Sequence, residues 1–175
     1  MKPAAAWVPR ALAAAVLGAA AACSRPPELG TIEILISDHR VAIGDFERLT
    51  VEVEQVDLHT EGSERDEGWI ELSPQAALVD LTQVVGEASL SILRQPVSAR
   101  RYDAVRLVLS GASGLLKVGG DVQFGELSQA DRIEFEVLAG GLASILLDLV
   151  VQSEEDHPGG SYEILLVEAR QVGER

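Results

Sequence analysis

The stretch LTVEVEQVDLH, residues 49–59, alternates apolar and polar side chains and changes phase once. Its apolar residues lie at odd positions before the change and at even positions after it: Leu49, Val51 and Val53, then Val56 and Leu58. A period of two is typical of a β-strand with one buried face. The slip of one residue predicts a β-bulge near Glu54 and Gln55, because a bulge moves the following side chains to the opposite face.

The same two-residue period continues on both sides of this stretch. Residues 31–36 place three isoleucines on one face, and residues 145–151 are nearly all apolar, which predicts a central strand covered on both faces. Other strand-like runs are separated by glycines or acidic loops: 69–72, 102–109, 115–118, 122–124, 133–137 and 162–167. Many short strands with turn residues between them predict an all-β fold, an antiparallel β-sandwich, over residues 30–172.

One segment, residues 74–93, departs from the strand pattern. Ser73 and Pro74 have the composition of an N-cap followed by a proline in the first helical position. Four apolar residues after them share a helical face: Leu81, Val85, Ala88 and Ile92. Because Gly86 and its β-branched neighbours weaken a helix, we expect one or two short helical turns here and not a long helix.

The first 22 residues have the layout of a secretory signal. Lys2 and Arg10 are basic, residues 11–22 are uncharged and apolar, and small residues precede the single cysteine, Cys23. The apolar run is too short to span a membrane as a helix. A small-residue triplet ending in cysteine is similar to the lipobox of bacterial lipoproteins, in which the cysteine is acylated and becomes the first residue.

We therefore expect a lipoprotein signal peptide over residues 1–22 and a lipid, such as palmitate, on Cys23. Residues 23–29 then form a Pro-rich tether, and residues 173–175 form a C-terminal tail. The alternative is an ordinary signal peptide followed by a free thiol. Ser24 follows the cysteine, as in lipoproteins exported to the outer membrane, so we expect a lipid anchor in the cell envelope, at the outer membrane or cell surface of a bacterium.

The charge of the chain limits its partners. The signal segment contains two of the fourteen Lys and Arg residues and none of the 28 Asp and Glu residues, so the remaining chain has a formal net charge of −16. This charge argues against nucleic acid as a partner, and against anionic lipid surfaces beyond the anchor itself. Divalent cations and basic partners remain open.

The order of several short motifs resembles the domain of unknown function 4382. An opening strand from Gly30 ends at Asp38, a second strand ends at His59, and a loop leads to the dipeptide Gly68-Trp69. Later matches are residues 79–82, 102–109 and 147–149. The resemblance covers roughly residues 30–172. It implies a secreted or lipid-anchored prokaryotic protein with a β-sandwich of the transthyretin or carboxypeptidase-regulatory type, and it implies no established activity.

The sequence departs from the family pattern at two places. Arg101 stands where a glycine usually precedes Tyr102, and the closing strand, residues 164–168, lacks the expected proline. Tyr102 itself begins a strand, which is typical of a tyrosine that caps a sandwich corner through its hydroxyl.

Acidic loops next to histidines are the candidate cation sites. Calcium takes several oxygen ligands, and Asp38 with Asp45 is the best candidate pair for it. No loop has the ligand spacing of an EF-hand or a zincin. The alternative is a set of solvated loops that are acidic because the whole surface is acidic.

The loop HTEGSERDEG, residues 59–68, and the tryptophan after it form the candidate ligand-binding site. We take His59, Glu61, Asp66 and Trp69 as its candidate residues. Trp69 is either a platform for a sugar ring or a core residue at the start of a strand.

No pattern in the sequence indicates catalysis. The chain lacks a G-x-S-x-G nucleophile elbow, and its paired carboxylates lie mainly on wet strand faces. We therefore expect a protein that is not an enzyme and needs no cofactor. Its expected role is a non-catalytic binding or scaffolding module for an envelope protein or glycan. A calcium- or glycan-binding envelope domain is the alternative, and an envelope hydrolase is the least supported possibility.

Overall fold

The computed structural model describes residues 27–39, 42–153 and 161–173, and these form two packed β-sheets. The strands are β1 (Leu29–Asp38), β2 (Phe46–Thr60), β3 (Trp69–Leu72), β4 (Leu78–Asp80), β5 (Leu90–Ser98), β6 (Arg101–Leu116), β7 (Asp121–Phe124), β8 (Leu127–Asp131), β9 (Phe135–Glu136), β10 (Leu142–Ser153) and β11 (Tyr162–Val172). The first sheet has the order β11-β10-β1-β5. The second is built on the β2–β6 pair, with β3 and β4 beside β2 and with β7, β8 and β9 beside β6. The predicted all-β sandwich is confirmed.

The predicted bulge lies in the long β2–β6 pair. Val53 pairs with Leu109 and Gln55 pairs with Val108, so Glu54 is an extra residue on β2. The apolar residues on both sides of the bulge are buried in one core: Leu49, Val51, Val53, Val56 and Leu58. The bulge therefore keeps the apolar residues of both phases on the inner face of the sheet.

The first sheet is mixed, which differs from the antiparallel arrangement expected. Strands β1 and β10 pair in parallel, with Ile34 opposite Ile145, while β5 and β11 are antiparallel to them. The parallel pair arises because the chain enters β10 at the end where β1 begins: Thr31 N–H donates to the carbonyl of Gly141. Strand β10 is central and buried on both faces along most of its length, as its apolar sequence predicts.

Side chains of β8 cover the free edge of β11. The backbone N–H of Leu166 donates to the side-chain amide oxygen of Gln129 at 2.5 Å, and that of Ala169 donates to the carboxylate of Asp131 at 2.7 Å. An uncovered strand edge is a template for pairing with another chain. These two bonds occupy part of that edge and also connect the two sheets along one flank.

Residues 74–93 contain one short helical turn, Leu81–Gln83, and otherwise strand and irregular structure. Asp80 caps this 3-10 turn by accepting from the backbone N–H of Thr82. The longer helical face does not form: Ile92 lies in β5, and its carbonyl accepts from the backbone N–H groups of residues 75 and 76. Pairing with β1 overrides the weak helical periodicity here. A second 3-10 turn, Ile43–Asp45, precedes β2.

Aromatic residues fix both ends of the sandwich. Tyr102 is buried and donates its hydroxyl to the carbonyl of Ser98 at 2.9 Å, as predicted. At the opposite end the Phe46 ring packs edge-on against Tyr162 of the first sheet, with centroids 4.9 Å apart. Phe46 also lies 6.5 Å from Phe124. This second cluster leaves no room for a side chain at Gly114, where a Cβ would overlap the Phe46 ring.

We expect Gly114→Ala to destabilise the protein by about 1–3 kcal/mol, because overpacking forces the buried Phe46 ring to move. The matched control is Gly125→Ala, since no atom lies within 4 Å of a Cβ there. The control is expected to change stability by less than about 0.5 kcal/mol. Chemical denaturation measures both values, and equal stability of the two variants would contradict this packing.

Candidate functional site

The site lies on the outer face of the second sheet, downstream of the bulge. Beyond Glu54 the odd-numbered residues of β2 point away from the core, and these include Asp57 and His59. The pairing register places Arg106 of β6 opposite Asp57 and Trp69 of β3 opposite His59. Four polar or aromatic side chains from three strands therefore share one patch of sheet.

A buried ion pair forms the floor of the site. The Asp57 side chain is 0% exposed, and its Oδ2 lies 2.6 Å from a guanidinium nitrogen of Arg106. Its other oxygen, Oδ1, accepts from the side-chain amide of Gln55 at 2.5 Å. The Arg106 guanidinium also lies over the Trp69 ring, 4.4 Å from the ring centroid, which is within cation–π range. Arg106 thus compensates a buried charge and covers one face of the tryptophan.

Hydrogen bonds favour the protonated form of His59. Its Nδ1 lies 2.5 Å from the Asp103 carboxylate, and its Nε2 lies 3.1 Å from the backbone carbonyl of Glu64. A carbonyl oxygen only accepts and a carboxylate accepts, so this geometry favours a proton on both ring nitrogens. The bond to Asp103, followed by the bond to the Glu64 carbonyl, raises the pKa of His59 above its ordinary value. The resulting stabilisation is complete below the unfolded pKa and is lost as the pH rises through the folded pKa.

A second bulge positions Asp103. His59 pairs with Ala104 and Thr60 pairs with Tyr102, so Asp103 is the extra residue on β6. A bulge redirects a side chain that regular alternation would point elsewhere. Here it allows the Asp103 carboxylate to reach the ring of His59.

The loop between β2 and β3 is closed by its own hydrogen bonds. The backbone N–H of Ser63 donates to Thr60, that of Glu67 donates to Glu64, and the Trp69 indole donates to the Arg65 carbonyl at 3.0 Å. The loop turns at Gly62, whose φ of 82° favours glycine. This bonding gives the loop a defined shape beside His59.

These elements enclose a cleft of about 600 Å³. It is lined by the second sheet, by the 61–68 loop and by the segment after β8: His59, Ser63, Arg65, Asp66, Trp69, Asp103, Ala104, Arg106, Ala130, Asp131, Arg132, Ile133 and Glu134. Three of the twelve Lys and Arg residues beyond the signal segment line this one cleft. In the part of the chain that the structure describes, Arg65 and Arg132 form no ion pair. Their guanidinium groups remain available to a ligand.

The structure brings three of the four candidate ligand-binding residues together: His59, Asp66 and Trp69 line the cleft. Glu61 lies in a neighbouring depression of about 290 Å³ with Arg101. Trp69 is half-buried, which is intermediate between the core residue and the open platform considered from the sequence.

The candidate calcium residues lie at the other end of the sandwich. Asp38 ends β1 and is fully buried, and its carboxylate oxygens have no hydrogen-bond partner among the residues that the structure describes. Asp45 accepts a hydrogen bond from the Tyr162 hydroxyl at 3.2 Å. Within residues 27–39, 42–153 and 161–173, no group of three or more His, Cys, Asp and Glu side chains is arranged to hold a metal ion. The described geometry therefore gives the calcium prediction no support.

The environment of Asp38 perturbs its ionisation. Burial raises the pKa of the Asp38 carboxyl to about 6, and the nearby Asp148 charge adds to the rise while His39 opposes it. Asp148 itself accepts from the Ser37 hydroxyl at 2.8 Å and lies 3.3 Å from His39.

Residues 1–26, which include the predicted signal peptide, Cys23 and most of the tether, lie outside the described residues, as do the last two residues of the tail. Among the residues that are described, no helix is both long enough and apolar enough to cross a membrane.

Sequence reasoning missed Asp57, Asp103 and Arg106, and also the two further arginines that line the cleft, Arg65 and Arg132. One signal for Asp57 was present, because it follows the phase change and shares a strand face with His59. Arg106 becomes its partner only through the β2–β6 register, and Asp103 reaches His59 only through a bulge. The register leaves no mark in the local sequence, whereas the bulge moves the buried side chains of β6 from an even position, Tyr102, to odd ones, Val105 and Leu107.

Comparison with known proteins identifies the family. The family described as a domain of unknown function, DUF4382, matches residues 29–167. The chain belongs to the DUF4382 family. The DUF4382 match includes every residue that lines the cleft. No curated protein matches the chain significantly.

One solved structure is similar to this DUF4382 chain at low identity. It is a leucine-rich repeat protein from Bacteroides thetaiotaomicron, with 12% sequence identity and a TM-score of 0.28. The similarity covers 69% of this chain and 13% of that chain.

We expect Arg106→Met to destabilise the protein by about 3 kcal/mol, because it leaves the buried Asp57 carboxylate without its counter-charge. The double variant Asp57→Leu/Arg106→Met removes both charges and is expected to recover most of that loss. Denaturation of the wild type, both single variants and the double variant gives the coupling between the two residues. Strictly additive effects would contradict the pairing.

We expect the stability of the protein to fall as the pH rises from about 4 to about 6, because folded Asp38 binds a proton more tightly than unfolded Asp38. Asp38→Asn removes this dependence, so it should gain up to about 3 kcal/mol relative to the wild type between pH 4 and pH 7. Denaturation across this range measures the gain. Glu47→Gln, at an exposed position, is the control. A constant difference between wild type and Asp38→Asn at all pH values would contradict the assignment.

Proposed function

We propose that this DUF4382 protein is a lipid-anchored module of the bacterial cell envelope that binds a polar segment of a protein partner in the cleft beside Trp69. The observation that carries the proposal is the cleft itself. Its volume of about 600 Å³ is in the range of ligand-binding sites, and strands from one rigid sheet form its floor.

The floor of the cleft is arranged before any ligand arrives. Arg106 is held by Asp57, and the loop beside it is held by the bonds to His59 and from Trp69. A surface that does not have to be ordered on binding loses less conformational entropy when a partner docks. This pre-organisation supports a recognition role.

A non-catalytic role fits the chemistry of His59. A general base needs a free nitrogen lone pair, and both ring nitrogens of His59 are engaged with acceptors. Asp103 is occupied by the histidine, and the oxygens of Asp131 accept from the backbone N–H groups of Arg132 and Ala169. The hydrogen bonds of these side chains therefore support a structural role for them, and not a role in proton transfer.

The contacts of Trp69 favour a protein segment over a sugar as the ligand. A sugar ring stacks on an open aromatic face, and the Arg106 guanidinium already covers one face of Trp69. The cleft presents charges of both signs, because Arg65, Arg132, Asp66 and Glu134 all line it. A peptide segment with both carboxylate and basic groups complements this pattern, and the Arg106–Trp69 pair provides part of the surface that it would contact.

The N-terminal sequence supports this location. A basic segment, a short apolar run and small residues before Cys23 support export and acylation. A lipid on Cys23 explains why an exported chain keeps a single cysteine. A module of this kind displays its cleft at a membrane surface without spanning the bilayer.

Photo-crosslinking in intact cells tests the proposal. A crosslinking amino acid is placed at Asp66 and at Glu61, beside the cleft, in the full-length lipidated protein. Val118, which is 71% exposed at the opposite end of β6, is the matched control position. We expect one recurrent envelope protein to crosslink at Asp66, to crosslink less at Glu61 and to be absent at Val118.

A second variant connects the crosslink to the cleft. Arg65→Ala/Arg132→Ala removes the two unpaired guanidinium groups and should weaken the crosslink at Asp66 severalfold without changing the amount of protein in the membrane fraction. Crosslinks to polysaccharide alone would favour the glycan-binding alternative. The same products at all three positions would contradict a dedicated cleft. Absence of the protein from the membrane fraction would contradict the anchor.

A further inference from the structure

We propose that the end of the sandwich next to the tether lies against the lipid bilayer, with Leu29, Leu138 and Arg100 in contact with the headgroup region. We call this surface the tether end. The inference rests on the proposed lipid at Cys23 and goes beyond it, because an anchor alone does not fix which surface of the domain meets the membrane.

The tether end consists of three parts of the chain that backbone hydrogen bonds hold together. The backbone N–H of Gly140 donates to the carbonyl of Leu29 at 2.8 Å, and that of Ala99 donates to the carbonyl of Glu28 at 2.7 Å. The backbone N–H of Val137 donates to the carbonyl of Arg100 at 2.9 Å. The start of β1, the β5–β6 turn and the β9–β10 connection therefore form one surface.

Two large apolar side chains are exposed on this surface. Leu29 is 53% exposed and Leu138 is 61% exposed, and the Leu138 carbonyl lies against Gly30, the residue that follows Leu29. Ala139 and Gly140, which follow Leu138, are exposed as well. Exposed leucines close together beside a basic residue are typical of surfaces that enter the membrane interface, where the apolar groups reach the acyl boundary.

The tether is too short to hold this end far from the bilayer. Five residues lie between Cys23 and Leu29, so six Cα-to-Cα steps join the two, and even a fully extended chain of that length spans at most about 22 Å. A polyproline-like conformation, which the two prolines favour, shortens this to about 19 Å. The headgroup region itself extends about 5–7 Å from the hydrocarbon core. The tether therefore holds the start of β1 within about 15 Å of the headgroup surface.

Arg100 and Arg101 are both exposed on this surface, with the carboxylates of Glu28, Glu61, Glu134 and Glu136 around them, the last lying 3.8 Å from Arg101. These charges do not favour an anionic surface, so the exposed leucines and the short tether carry the inference. The cleft lies at the same end of the sandwich as the tether end, so a partner bound in the cleft would lie close to the membrane.

Spin labels test the contact. Leu138→Cys and Val118→Cys are made separately in the full-length lipidated protein, where the acylated Cys23 leaves each new thiol as the sole labelling site. The labelled proteins are placed in phosphatidylethanolamine and phosphatidylglycerol vesicles. On the vesicles, we expect the ratio of oxygen accessibility to nickel-chelate accessibility to be severalfold higher at residue 138 than at residue 118. After a protease has cut the tether and released the domain into detergent-free solution, we expect the two positions to give the same ratio.

The outcomes separate this inference from the anchor. Labelled protein that floats with the vesicles but is equally water-exposed at both positions would overturn the contact and leave the anchor intact. Protein that fails to float would contradict the anchor instead. Ala139→Cys, at an exposed neighbouring position, repeats the measurement if the Leu138 variant does not fold. Leu138→Glu should then lower the accessibility ratio at residue 139 to the value at Val118, and an unchanged ratio would also overturn the contact.

Discussion

The site depends on one extra residue, Glu54, in the long strand β2. Upstream of it the odd-numbered residues fill the core, and downstream the even-numbered ones do. Without this bulge Asp57 and His59 would point between the sheets, where an unpaired charge is costly. The same residue that preserves the apolar core therefore places the polar site on the outer face. This irregularity sets the side-chain directions of β2, and the bulge at Asp103 on β6 then completes the site.

The buried charge of Asp57 then determines what lies around it. A carboxylate removed from water needs a counter-charge and hydrogen bonds, and Arg106 and Gln55 supply them. Because Arg106 is held by Asp57, its guanidinium stays over the Trp69 ring, 4.4 Å from the ring centroid. The shape of the cleft is thus a consequence of compensating one charge. A variant that keeps the fold but removes this charge should have a less defined cleft.

Sequence periodicity predicted what is local and missed what is long-range. The phase of β2, the buried isoleucines of β1 and the capping hydroxyl of Tyr102 all follow from neighbouring residues. Arg106 is 49 residues from Asp57, and no local pattern marks them as partners. The parallel β1–β10 pair and the strand at Ile92 also depend on which strands pair with each other. Several apolar strands in the chain would be equally suitable partners, so the sequence does not identify the pairing. His59 and Trp69 were enough to locate the cleft from the sequence, but the Asp57–Arg106 pair that forms its floor could not be predicted.

The position of β1 connects the proposed anchor to the stability of the domain. Strand β1 follows the tether directly and is central in its sheet, with β5 on one side and β10 on the other. A force that pulls on the tether along β1 loads the hydrogen bonds to both neighbours at the same time, because these bonds lie across the direction of pull. An edge strand in this position would instead be peeled away one bond at a time. A central first strand is therefore a suitable attachment point for a domain held to a membrane by a tether of a few residues.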